Sequence, residues 1–158
     1  MTGPKPKKKD PSAERDLQGF IDRFTPEIAT LARACLKKMR TKLPGAVQLV
    51  YDNYNALVIG FGPSERASDA IFSIALYPRW VTLFFLQGAG LPDPSKLLKG
   101  SGKVVRHIVL AAAADLDKPA IQALMTIALN RAKAPMDPAA TGNLEIRSIS
   151  AKQRPRRP

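Results

Sequence analysis

The hydrophobic period turns from helical to alternating at Leu43-Pro44-Gly45, and that change limits the folds open to this chain. Before it, apolar residues recur at helical spacing. After it they alternate or cluster as β-branched runs, so helices and a sheet must share one core. With 158 residues and 45% hydrophobic content there is one domain to build and enough apolar surface to bury.

From Ser12 to Phe24 the positions Leu17, Phe20, Ile21 and Phe24 mark one helical face. Thr25, Pro26 and Glu27 then supply an N-cap, a first-turn proline and a favourable negative charge, which starts a second helix. Its inward stripe is Ile28, Leu31, Ala32, Cys35, Leu36 and Met39. Strands are expected at Ala46–Tyr51, Ala56–Phe61, Ile71–Tyr77, Trp80–Leu86 and Val104–Leu110. The turns at Asp52–Asn55 and at Pro78-Arg79 are too short for crossover helices, so both pairs are antiparallel. Asp117 is the expected cap of a last helix, with Pro119 in its first turn and Ile121, Leu124, Met125 and Ala128 inward, fading near Ala134 and Pro135.

These elements predict an α+β fold: a single two-layer domain over residues 12–134, with a mainly antiparallel sheet of about five strands and three helices on one face. Val47, Leu49, Leu57, Ile59, Phe61, Phe72, Ile74, Leu76, Val81, Leu83 and Phe85 are expected under the helices. Gln48, Val50, Ala56, Val58, Ser73, Tyr77, Trp80, Thr82 and Phe84 are expected on the uncovered side, a face open to a ligand, a protein partner, a second copy of the chain or a covering tail, with an ordinary solvated sheet as the plainer alternative.

The net charge of +12 is concentrated at the ends. Lys5, Lys7, Lys8 and Lys9 lie in residues 1–11, and Arg147, Lys152, Arg154, Arg156 and Arg157 in residues 135–158, leaving the body nearly balanced. Both ends are rich in Pro and basic residues and poor in large apolar ones, so each is expected to be a flexible basic tail. Such tails also allow weak, nonspecific nucleic-acid association, although they carry no interleaved aromatics for stacking. Residues 1–10 are followed by no continuous apolar run of the secretory kind, and Ile71–Leu86 is interrupted at Pro78 and Arg79 and is too short to span a bilayer. A cytoplasmic protein with no membrane partner and a reduced Cys35 is the resulting expectation.

The stretch Gly88-Ala89-Gly90-Leu91-Pro92-Asp93-Pro94-Ser95-Lys96-Leu97-Leu98-Lys99-Gly100-Ser101-Gly102-Lys103-Val104-Val105-Arg106-His107 resembles a recurrent segment of the YdhG-like domain family, small bacterial proteins of unknown function. Tyr51-Asp52-Asn53-Tyr54-Asn55-Ala56-Leu57 resembles the hairpin that precedes it there, and the likeness extends from about Ile21 to Ala132. The resemblance implies a compact α+β domain with helices against an antiparallel sheet. Through frataxin-like relatives it also implies an iron-chaperone role as a third alternative. Iron of that kind requires clustered oxygen ligands, whereas the acids here are dispersed; Asp10, Glu14 and Asp22 are the nearest to an acidic edge.

Candidate binding residues fall in two groups. Gly100, Ser101, Gly102, Lys103 and Arg106 combine glycines, whose backbone can turn N–H groups into one concavity, with two cations that suit an anion. The spacing is not that of a Walker loop, and a tight turn ahead of a strand is the plainer alternative. Tyr51, Tyr54 and Trp80 offer flat aromatic area at turns and would form a pocket mouth if they converge. His107 lies between Val105 and Val109 and reads as a packing residue, and Cys35 as a small buried hydrophobe. No acid–base pair, metal cluster, cofactor motif or nucleophile site is legible, so no catalytic residue is assigned. The preferred reading is a noncatalytic binding module for a small anionic ligand or a protein partner.

Overall fold

A computed structural model describes residues 11–158. Helix α1 (Pro11–Asp22) buries Ala13, Leu17 and Ile21. Thr25 caps α2 (Pro26–Lys42) as expected: its Oγ1 accepts from the Ile28 N–H at 3.3 Å, and Pro26 opens the first turn. The α2 face that carries Ile28, Ala29, Ala32, Cys35, Leu36 and Met39 is buried, and Leu43 and Gly45 turn the chain into the sheet.

The strands are β1 (Val47–Asp52), β2 (Leu57–Gly62), β3 (Phe72–Leu76), β4 (Val81–Phe85), β5 (Arg106–Leu110) and β6 (Leu144–Ile149). They lie in the order β5-β4-β3-β2-β1-β6. The first five pair antiparallel in a meander, and β6 pairs parallel to β1. Helix α3 (Pro119–Arg131) follows a 3₁₀ turn at Ala113–Asp117. All three helices pack on one face, over a core that includes Leu57, Ile59, Phe61, Phe72, Ile74, Leu76, Leu83 and Phe85. The class is α+β, as the periodicity predicts.

Four expectations are corrected. The sheet has six strands, because residues assigned to a C-terminal tail contain β6. Leu144 and Ile146 pack against the core, and β1 offers them an edge that no local turn signal advertises. The boundary of the domain therefore moves beyond residue 134, whereas the basic N-terminal segment, but for Pro11, lies outside the described residues.

The phase of β1 is also inverted. Gln48 pairs with Phe61, Val50 with Ile59 and Asp52 with Leu57, so these three β1 residues face the helices, and Val47, Leu49 and Tyr51 face away. Each polar member has a partner there. Gln48 Oε1 accepts from Arg40 Nε at 2.9 Å, and Asp52 meets an arginine from the far end of the chain. Finally, Asp117 does not cap α3, whose N-cap position is Lys118. Its carboxylate instead joins Lys38 Nζ at 2.5 Å and Lys42 Nζ at 2.8 Å, fastening the 3₁₀ turn to α2.

Candidate ligand-binding cleft

The β1–β2 and β3–β4 hairpins turn at the same end of the sheet. Asn53 N–H donates to the Ala56 carbonyl, and Tyr77 N–H to the Trp80 carbonyl, each at 2.9 Å. Two-residue tips result at Tyr54-Asn55 and Pro78-Arg79. Tyr77 and Trp80, facing each other across the second tip, have ring centroids 5.6 Å apart and planes inclined by 32°.

Residues 150–158 return past these tips and are bound to them. Ser150 N–H donates to the Asp52 carbonyl and Arg154 N–H to the Tyr54 carbonyl, both at 2.9 Å, and Gln153 Nε2 reaches the Asp52 carbonyl at 2.9 Å. Arg156 is buried against Asp52, with its guanidinium 5.6 Å from the centroid of the Phe24 ring. The segment becomes one wall of a cleft of about 570 Å³, formed by Arg154, Pro155 and Arg157 opposite Pro78, Arg79 and Trp80. A second hollow of about 400 Å³ adjoins it at Tyr54, Asn55 and Tyr77.

Chemically this is a basic and aromatic site. No Asp or Glu lines either hollow among the described residues. The Arg154 guanidinium lies over the Tyr54 ring at 5.6 Å from its centroid, and Arg157 is anchored by Nε to the Arg23 carbonyl at 3.1 Å. Arg79 and Trp80 are exposed, and burial pushes the Tyr77 phenol above its ordinary value. A ring held between Trp80 and Arg154, with negative charge beside Arg79, is the species these walls suit.

The structure brings Tyr54 and Trp80 to adjoining hollows that share Asn55 and Tyr77. Tyr51 lines neither; it lies half-buried on the uncovered face opposite Val58. The glycine loop is elsewhere, at the other end of β4. Gly100 has φ +120°, and Lys99 and His107 exchange backbone hydrogen bonds of 2.8 and 2.9 Å beside it. Arg106 Nη1 donates to the carbonyls of Gly102 and Val105 at 2.5 and 2.8 Å, so part of its donor capacity is taken by the loop. Ser101, Gly102 and Lys103 are exposed.

His107 is half-buried on the uncovered face against Phe84, with centroids 5.6 Å apart. Cys35 is fully buried. Of the acidic edge, Asp10 lies outside the described residues, Glu14 is held by Arg40 at 2.9 Å and Asp22 by Arg33 at 2.5 Å. No group of three His, Cys, Asp or Glu side chains stands close enough to hold a metal among the described residues, and none of their helices is long and apolar enough to cross a membrane.

Sequence reasoning misses Tyr77, Arg79, Arg154 and Arg157 as members of one site. The run Arg154-Pro155-Arg156-Arg157 reads as a solvated tail until Asp52 is known to face inward. No family model, curated protein or solved structure matches this chain.

Proposed function

We propose that this chain is a YdhG-like noncatalytic binding module whose cleft at the β3–β4 tip takes an anionic ligand with a flat ring. The observation that carries the reading is the convergence of Trp80 and Tyr77 with Arg79, Arg154 and Arg157 around one acid-free hollow. Cationic side chains attract the charge, the rings supply apolar contact area, and the two tight hairpin tips hold both in place. The α+β architecture accords with the YdhG-like resemblance and adds no chemistry to it. A protein partner would have to present the same anionic and aromatic groups to this end of the sheet.

Trp80 is the single tryptophan, so its fluorescence reports the cleft directly. Titration with adenosine monophosphate is expected to quench it saturably, with inorganic phosphate competing weakly. Arg79→Gln and Arg154→Gln each weaken binding roughly tenfold, the worth of one charge-assisted contact. Unchanged Trp80 emission across the titration overturns the reading.

A further inference from the structure

Trp80, which lines the cleft, also belongs to a strip of sheet that faces away from the described helices. Pairing registers place Trp80, Thr82 and Phe84 of the β4 segment on that face, with Ala75 and Val109 flanking Thr82, and His107 beside Phe84. The small side chains of Ala75 and Thr82 are buried, whereas Val109 is 53% and Trp80 46% exposed. Two ring pairs therefore stand at the ends of this strip, Tyr77 with Trp80 and Phe84 with His107. Four residues along a strand separate them by about 13 Å.

Cations stand at both ends. Lys99 pairs with His107 across an antiparallel bridge, which puts it on the same face, and Arg79 and Arg154 stand at the other end. Glu145 also faces this side through its pairing with Leu49, but on β6 at the opposite edge of the sheet, with Arg147 at 3.3 Å.

The geometry points to single-stranded nucleic acid as the ligand of this strip, laid along β4 with bases stacked on the two ring pairs and phosphates against Lys99, Arg79 and Arg154. This rests on the cleft reading above and extends it from one ring to several. Flat aromatic platforms flanked by cations accept any unpaired base, because every base has a π-face. A duplex hides those faces, so it offers the strip only its phosphates. The charge complementarity favours a polyanion over an apolar protein surface.

The test is fluorescence anisotropy of labelled oligothymidine and oligouridine of about ten nucleotides, with Trp80 emission read in parallel. Both are expected to bind more tightly than a mononucleotide and than a duplex of equal length. Phe84→Leu and His107→Leu each weaken the oligomer roughly tenfold while leaving mononucleotide quenching of Trp80 unchanged. With three phosphate contacts, a fourfold rise in salt weakens binding about 20-fold.

If mononucleotides quench Trp80 but oligomers bind no better, the strip proposal fails and the cleft reading stands. If neither binds, both fail. Oligomer binding unaffected by Phe84→Leu and His107→Leu also overturns the strip. So does a stable dimer that Val109→Glu dissociates, because the face would then be covered by a second copy. A preference for thymidine over uridine, or the reverse, distinguishes DNA from RNA as the source of the strand.

Discussion

Arg156 Nη2 donates to Asp52 Oδ1 at 2.8 Å, and both side chains are only 2% exposed, although 104 positions separate them. The same nitrogen donates to the Asn53 carbonyl at 2.5 Å, and Arg23 Nη1 stands 3.6 Å from Asp52 Oδ2. Among the described residues Arg156 Nε and Nη1 find no hydrogen-bond partner, and the Phe24 ring lies beside the guanidinium. A charge pair this deep gains little over an apolar replacement, yet loses heavily when half of it is removed.

Arg156→Ala therefore leaves Asp52 buried and poorly compensated, and is expected to cost about 3–5 kcal/mol. Asp52→Leu combined with Arg156→Met restores most of that loss by extending the apolar surface already formed by Leu57 and Phe24. Urea denaturation midpoints of the wild type, the single variant and the double variant check this. A single variant within about 0.5 kcal/mol of wild type would refute the clasp.

Gly45 and Gly90 both have φ above +80°, but their surroundings differ. A Cβ on Gly45 would stand 2.1 Å from the Asp137 carbonyl oxygen, whereas one on Gly90 meets none of the described residues within 4 Å. Gly90→Ala is expected to cost about 1–2 kcal/mol, the ordinary penalty of a left-handed backbone. Gly45→Ala costs more, since the loop leading to β6 must move, and hydrogen exchange should show Gln48 N–H, bonded to the Asn143 carbonyl at 2.9 Å, losing protection first.

Burial pushes the Cys35 thiol up to about 11, with the Asp115 carboxylate raising it further and Lys38 opposing. Because the folded value lies above the ordinary 9.0, the thiol's contribution to stability is complete below pH 9 and is lost as pH rises toward 11. Cys35→Ala is expected to flatten that alkaline limb in a comparison of unfolding midpoints. At about pH 8 the thiolate fraction is about a hundredfold below that of an ordinary thiol, so a disulfide reagent reacts with the native protein only slowly.

Hydrogen bonds from Lys38 and then Lys42 hold the Asp117 carboxyl below its ordinary value, against a small opposing effect of burial. A depressed folded value makes the contribution present above the ordinary carboxylate range and lost as pH falls through the folded one. Asp117→Asn is thus expected to lower the midpoint at neutral pH, with the difference from wild type shrinking as pH falls below the ordinary carboxylate range. A gap that persists in acid would assign the effect to packing.

What sequence reveals here depends on whether a residue's neighbours are local. Thr25-Pro26-Glu27 carries its own instruction, and the alternating runs of β2, β3 and β4 carry theirs, so those elements stand where hydropathy puts them. Gln48 and Asp52 violate the rule that polar residues face water, because Arg40 and Arg156 satisfy them from other parts of the chain. That violation conceals the phase of β1. The alternation Leu144-Glu145-Ile146-Arg147 is short and sits among charges, and its partner is a parallel strand with no connecting turn to betray it. Tyr54 and Trp80 are legible as aromatic groups at turns; their arginine neighbours are not, since proline-rich basic sequence looks solvated until a buried carboxylate receives it.

The parallel placement of β6 makes the last-formed pairing one of the longest in sequence. During synthesis the meander from β1 to β5 is complete some thirty residues before Leu144 leaves the ribosome, and throughout that interval β1 presents an open backbone edge. An edge left open in this way is a template for pairing with another chain, so substitutions that slow the docking of β6 are expected to increase aggregation during refolding, as light scattering would show.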